Sequence, residues 1–355
     1  MSGGSTYIVT GGAGFVGSNL VAELYRRDPR ADVRVVDDFR SGSFENLVSA
    51  CERAGVGPFR GSVIPESSAD VNLAGAVEVI EPRAVFHLGA ITDTTLGDER
   101  SMIRSNTEGF EELIDACGDA GVPLVYASSA TTFGTPPQAR RREAFPESAA
   151  GRPSNVYGFS KWLMECAHRR VAARREAEGE PAPRCVGLRY FNVFGPGESH
   201  KGPMASMVHQ LAERMLAGER PRLFTAGEQA RDQVPVEDVV DGTLAAAGLG
   251  ERDPGSIEPG VYNLGSGVAT TFNAVVEALR NALGVSAAEL PTEYFDMPES
   301  VRAFYQDWTL ADMSAAEAGL GWRPSRDPAA AISDYAERLA SRARGAAGTP
   351  TPAGG

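Results

Sequence analysis

TGGAGFVGSNL, residues 10–20, follows the β-branched run TYIVT (6–10) and leads into the amphipathic stretch FVGSNLVAELYRR. The pattern predicts a strand, a tight turn and a helix. Gly11 permits the turn, Gly14 lets backbone N–H groups approach a pyrophosphate at the helix N-terminus, and Gly17 allows close helix–strand packing. A second strand, DVRVVD (32–37), ends in Asp37, 20 residues past Gly17. An acid at that place suits a ribose diol, so turn and acid together predict a bound dinucleotide. Asp37 would repel a 2′-phosphate, which favours NAD. Arg40, three residues on, is the group able to clamp such a phosphate, so NADP stays open.

Outward from this turn the chain alternates short β-branched runs with longer amphipathic ones. AVFHLGA (84–90), PLVYASS (123–129) and CVGLRYFNVFG (185–195) read as strands, and SNTEGFEELIDACGDA (105–120) and NVYGFSKWLMECAHRRVAARREA (155–177) as helices. This order predicts an α/β fold: a Rossmann-like, doubly wound parallel sheet with right-handed crossovers. After about residue 195 the pattern loosens. We expect residues 1–190, joined by about 234–266, to form the dinucleotide-binding domain. Residues 191–233 and 267–340 should form a smaller C-terminal α/β substrate-binding lobe. The Pro/Gly/Ala-rich tail, 341–355, is expected to be disordered.

The formal net charge is −13, which makes nucleic acid an improbable partner. Four cysteines (Cys51, Cys117, Cys166 and Cys185) are far apart and form no CxxC pair, which argues against a zinc site and suits a reducing compartment. MSGGSTYIVT carries no charged n-region followed by an apolar stretch, and no run of about 18 apolar residues occurs. The expectation is a cytoplasmic protein with no membrane segment and no metal.

Of 34 Lys+Arg residues only two are lysine, Lys161 and Lys201. Lys161 stands four residues after Tyr157, so both share one face of a helix. A cation beside a phenol favours the phenolate, which makes a base able to take a hydroxyl proton. Ser129, at the end of a strand, is placed to bond the same substrate oxygen. An arginine at 161 would not easily give up a proton.

TGGAGFVG, HLGA (87–90), SSAT (128–131), YxxxK (157–161) and RYFNVFGP (189–196) occur in the order and spacing of the extended short-chain dehydrogenase/reductase family of nucleotide-sugar enzymes, which the chain resembles over about residues 5–340. RYFNVFGPGESHKGPMAS (189–206), GAITDTT (89–95), NLGSG (263–267) and YQDWTLADM (305–313) resemble its ADP-glycero-manno-heptose 6-epimerases. The resemblance implies a nucleotide-sugar epimerase in which Lys201 is a second acid/base opposite Tyr157. A ketone that presents its two faces to different groups needs two proton donors. The cofactor would meet Gly11, Gly14, Phe15, Val16, Gly17, Asp37, Asp38, Arg40, Leu88, Gly89, Ala90, Asn106, Tyr157, Lys161 and Val193. The substrate would meet Thr92, Ser129, Asn192, His200, Lys201, Phe224, Gly227, Arg231 and Tyr305, with Arg231 pairing with the diphosphate. The resemblance also implies a homo-oligomer, with helices 105–120 and 156–177 pairing across a two-fold axis as in many relatives.

The chain departs from the family in ARDQVPVEDVVD (230–241), where Gln233 and Pro235 replace two aromatics. Proline there also removes a ladder donor. The alternatives are a 4-epimerase of UDP- or other NDP-hexoses, a heptose epimerase acting at another carbon, and a non-enzymatic dinucleotide sensor. A 4,6-dehydratase is disfavoured because SSAT lacks the Asp-Glu pair used in elimination. The sensor is disfavoured because Ser129, Tyr157 and Lys161 occur together.

Overall fold

The computed structural model describes residues 4–93, 98–299 and 305–347. Seven strands form a wholly parallel sheet: β1 (Thr6–Thr10), β2 (Asp32–Val36), β3 (Ser62–Ile64), β4 (Ala84–His87), β5 (Leu124–Ser129), β6 (Cys185–Tyr190) and β10 (Gly260–Leu264). Their order is β10-β6-β5-β4-β1-β2-β3, so the winding reverses between β1 and β4. In such sheets the crevice beyond the carboxyl ends at the reversal is where ligands bind.

Each face of the sheet is covered, because strands buried on both sides need apolar partners on both sides. Leu20 and Leu24 of α1 (Phe15–Arg27), Leu47 of α2 (Phe44–Ala54) and Val239 of α9 (Val236–Ala246) fill one side. Val77 of α3 (Leu73–Ile80), Leu113 of α5 (Phe110–Ala120) and Met164 of α7 (Val156–Glu178) fill the other. The helix α4 (Glu99–Thr107) packs on α7, and a short α6 (Pro137–Arg141) follows β5.

A second layer lies over the carboxyl edge. Here β7 (Asn192–Phe194), β9 (Ala230–Pro235) and β11 (Ala269–Thr271) form a three-stranded sheet in the order β11-β9-β7, and β8 (Arg222–Phe224) pairs with β12 (Glu293–Phe295). Its core joins Val208 and Leu211 of α8 (Met207–Leu216), Val275 and Leu279 of α10 (Phe272–Leu283), and Ile332 and Tyr335 of the last helix. Between them α11 (Ser314–Leu320) packs on β10.

Three expectations need correction. The stretch 105–120 is not one helix: Gly109 adopts φ +74, a left-handed conformation that ends α4 and starts α5 afresh. The strand expected at 185–195 is two, in different sheets: β6 stays paired with β10 up to Leu264, and β7 pairs with β9 instead. The tail is helical over its first residues, since α12 runs Pro328–Ala347; residues 348–355 lie outside the described residues, as do Thr94 and Thr95 of GAITDTT. Pro235 is the last residue of β9, opposite Phe194 of β7, and the N-cap of α9.

Candidate active site

A cleft of about 990 Å³ opens at the carboxyl edge between the two layers. All the residues expected in the site line it, except Asn106 and Gly227.

Its floor is the glycine-rich turn. Gly11 has φ +66, and a Cβ on it would stand 2.7 Å from Gly89 N of the loop after β4. A Cβ on Gly17 would meet Gly11 O at 2.1 Å. Both positions therefore require glycine. Gly14 caps α1 without a side-chain partner, so the first N–H groups of that helix and its dipole face the cleft. That cradle fits the pyrophosphate of a dinucleotide. Leu88, Gly89 and Ala90 form the adjoining wall, and Gly89 N–H is held by Thr10 Oγ1 at 2.9 Å.

Asp37 accepts from Ala13 N–H and Phe39 N–H, each at 2.9 Å. Burial pushes its carboxyl up, and these N–H donors oppose that. Arg40 is already paired with Asp38 at 3.3 Å, and Glu66 lines the same end. Three carboxylates and one committed guanidinium suit a ribose diol better than a 2′-phosphate.

At the other end α7 presents Tyr157 and Lys161 one turn apart. Asn155 starts the helix by accepting from Gly158 N–H at 2.8 Å. The next turn on the same face carries Glu165, which accepts from Arg189 Nη2–H at 2.7 Å and from Ser128 Oγ–H at 2.6 Å. This buried cluster ties α7 to β5 and β6, so Tyr157 and Ser129 are held in one register.

Protein groups alone do not acidify this phenol. Burial pushes Tyr157 up to about 12, against the lowering effect of the Ser129 hydrogen bond. Burial also pushes Lys161 down to about 7. Lys161 is 1% exposed, and its Nζ has a sulfur contact with Met164 at 3.8 Å. The expected help from lysine to tyrosine is thus absent from the protein's own electrostatics, because the ammonium is itself desolvated.

Lys201 and His200 come from the loop after β7. Buried Glu198 closes that loop at its base, accepting from Gly195 N–H at 2.9 Å and Ser206 N–H at 2.6 Å. His200 contacts Asn46 Nδ2 at 3.0 Å, and Lys201 Nζ stands 5.5 Å from the Phe15 ring. Burial lowers the Lys201 ammonium, and Glu198 works the other way. Thr92, Asn192 and Val193 line the middle of the cleft.

The lobe supplies Arg231, Phe224 and Tyr305. The Arg231 guanidinium stacks 4.8 Å from the Tyr305 ring, is 8% exposed, and forms no ion pair among the described residues. Such a desolvated cation fits an anionic group. Phe224 meets Tyr305 edge-on at 5.4 Å.

Asn106 does not reach the cleft. It is buried, accepts from Ile91 N–H at 2.8 Å and donates to Ser160 Oγ at 2.9 Å, bracing the loop after β4 against α7. Gly227 turns the chain with φ +78 against Asn273, whose side chain would lie 2.1 Å from a Cβ. Sequence reasoning missed Arg222, Gln233 and the segment Glu66–Ser68. Arg222 was within reach, since it shares a strand face with Phe224. Glu66–Ser68 follow a strand of only three residues, too short to read from its pattern.

Among the described residues no cluster could hold a metal, and no helix is long and apolar enough to cross a membrane.

A profile of the NAD dependent epimerase/dehydratase family matches residues 7–265. The chain belongs to this family. An ADP-L-glycero-D-manno-heptose-6-epimerase of Alkalilimnicola ehrlichii is 40% identical over 314 residues, covering 86% of this chain and 89% of the relative. The crystal structure of the Helicobacter pylori ADP-L-glycero-D-manno-heptose-6-epimerase is similar at 31% identity and a TM-score of 0.76, covering 94% of this chain and 96% of that one. A UDP-glucose 4-epimerase of Thermotoga maritima is similar at 26% identity and a TM-score of 0.75, covering 95% and 99%. In this chain the glycine-rich turn and Ser129, Tyr157 and Lys161 line one cleft.

Proposed function

We propose that the protein is an NAD-dependent epimerase of ADP-glycero-manno-heptose, inverting C6 by transient oxidation to a ketone and hydride return to the opposite face. The observation that carries this reading is the pair of acid/base groups, Tyr157 and Lys201, entering one cleft from separate elements. The 40% identity to a heptose 6-epimerase supports the sugar and the carbon.

When bound, NAD would supply the hydride acceptor and a positive ring that favours the phenolate. Gly11, Gly14, Phe15, Val16 and Gly17 would hold its pyrophosphate, and Asp37 its ribose. Tyr157 takes the proton of the sugar hydroxyl, Ser129 bonds the same oxygen, and Lys161 holds the cofactor ribose. Lys201 serves the oxygen when the ketone presents its other face. Arg231 clamps the diphosphate between Tyr305 and Phe224. On this reading residues 1–190 with 234–266 bind the dinucleotide, and 191–233 with 267–340 bind the nucleotide sugar. The Asp38–Arg40 pair favours NAD over NADP. Four free cysteines fit a cytoplasmic enzyme of carbohydrate metabolism.

A 4-epimerase of UDP-hexoses is the second reading, favoured by the comparable fit to the Thermotoga maritima structure. A ring that re-presents itself by rotating needs one tyrosine only, so Lys201 weighs against it. Purified protein incubated separately with ADP-D-glycero-β-D-manno-heptose and UDP-glucose decides: conversion of the first alone supports the proposal, and conversion of the second alone defeats it.

A further inference from the structure

Two asparagines join the glycine-rich turn to the loop that carries Lys201. Asn19, one turn into α1, donates from Nδ2 to Phe15 O at 2.8 Å and to Pro196 O at 2.9 Å. Asn46, in the first turn of α2, donates from Nδ2 to Ala13 O at 2.8 Å and meets His200 Nδ1 at 3.0 Å. Each amide nitrogen thus spends one N–H on the turn and the other on the loop. Gly197 brings the loop close: a Cβ there would stand 3.2 Å from Asn19 Nδ2 and 3.7 Å from the Phe15 ring.

At Asn46 the partners dictate a protonation state. A carbonyl oxygen can only accept, so Ala13 O fixes the Asn46 amide with its nitrogen, not its oxygen, on this side. That nitrogen can only donate to His200. Nδ1 is therefore unprotonated, and the imidazole proton sits on Nε2. Burial pushes the His200 imidazole down, so the ring is neutral near pH 7. His200 and Lys201 both line the cleft, and Lys201 N–H is held by Glu198 O at 2.9 Å. Lys201 thus follows a residue pinned at its side chain and is itself pinned at its backbone.

We propose that Asn46 is a positioning residue for Lys201: by holding His200 as the Nε2–H tautomer, it docks the acid/base loop on the dinucleotide turn. The use made of Lys201 rests on the epimerase reading above; the tautomer of His200 does not.

NMR of the full chain, carrying NAD and ¹⁵N-labelled histidine, reads the tautomer. His200→Gln identifies the His200 signals among the four histidines. Wild type should show Nδ1 unprotonated and Nε2 protonated. Asn46→Leu, similar in size and without a donor, should give a mixture of both tautomers. Asn46→Asp keeps the shape but offers Nδ1 an acceptor, and should move the proton to Nδ1. Ala13 O still accepts from Ser43 N–H at 3.1 Å, so the turn keeps a partner in either variant. An Nδ1–H tautomer in wild type, or the same tautomer in all three proteins, would overturn the proposal. Turnover of ADP-D-glycero-β-D-manno-heptose, or of UDP-glucose if only that is accepted, ties the tautomer to Lys201. Asn46→Leu should slow the wild type on the order of 10²-fold. It should add no loss to Lys201→Met, because nothing is left to position. An equal further loss in that background would mean a general structural defect and defeat the proposal. Full turnover by Lys201→Met alone would instead defeat the acid/base reading on which the positioning role rests.

Discussion

A buried ammonium with no carboxylate partner is unstable, and Lys161 is one. Its proton is held to about 7 in the folded chain against 10.5 for an ordinary lysine. Between those values the unfolded chain binds the proton and the folded chain does not, so this group makes stability rise with pH across that window. Below about pH 7 both states are protonated and the folded state bears the whole burial cost. Lys161→Met should therefore stabilise the NAD-free protein, with an advantage over wild type that is large at pH 7 and shrinks toward pH 10. Urea denaturation at the two pH values checks this; a constant difference would mean that Lys161 is not desolvated as the structure has it. Tyr157→Phe and Lys201→Met should each keep fold and NAD content yet lower turnover by roughly 10²–10⁴-fold, the usual loss for an acid/base group. Assay of the two variants beside wild type, with cofactor content measured in parallel, checks it. At this scale the sequence was informative where residue type is chemically restrictive. Two lysines among many arginines, and glycines at 11 and 17, could be read directly. Asn106 and Gly227 could not, because a motif position does not reveal whether a side chain faces the ligand or braces the loop behind it.

The loop from Gly195 to Ser206 brings Lys201 to the cleft, and Glu198 makes it a rigid element. Its carboxylate joins both ends of the loop, and Ser206 Oγ–H adds a third donor at 3.0 Å. Tyr335 of α12 meets His209 Nδ1, one turn into the helix that Ser206 starts, at 2.8 Å. Glu198→Ala would leave two buried backbone donors unpaired, which costs about 3 kcal/mol. A lower denaturation midpoint and a reduced turnover with unaltered NAD content are expected from chemical denaturation and assay. Full activity in this variant would show that Lys201 needs no fixed loop. The sequence announced the lysine but not its clamp, since Glu198, Ser206 and Tyr335 come together only through packing of the C-terminal helix. The breaks at Gly109 and Phe191 were hidden for a similar reason. One depends on a left-handed glycine, the other on the pairing of β7 with β9, a strand far along the chain.

For the molecule as a whole, alternation of strands and helices predicted the parallel sheet, and the glycine-rich turn located its reversal point. The short β3 and the two small sheets of the second layer lay beyond any pattern, because three-residue strands owe their existence to neighbours. Phe159 of α7 is 43% exposed, an apolar side chain left uncovered on a long helix. We expect a homodimer through α5 and α7, seen as twice the chain mass by sedimentation at micromolar concentration; a monomer would exclude it. The central claim is that one site oxidises and re-reduces C6 of a heptose without releasing its hydrogen. Incubation with ADP-D-glycero-β-D-manno-heptose in D₂O, followed by NMR of the recovered sugar, tests it most directly. The account predicts inversion at C6 alone with the original hydrogen still attached. Inversion at C4, or solvent deuterium at C6, would contradict it.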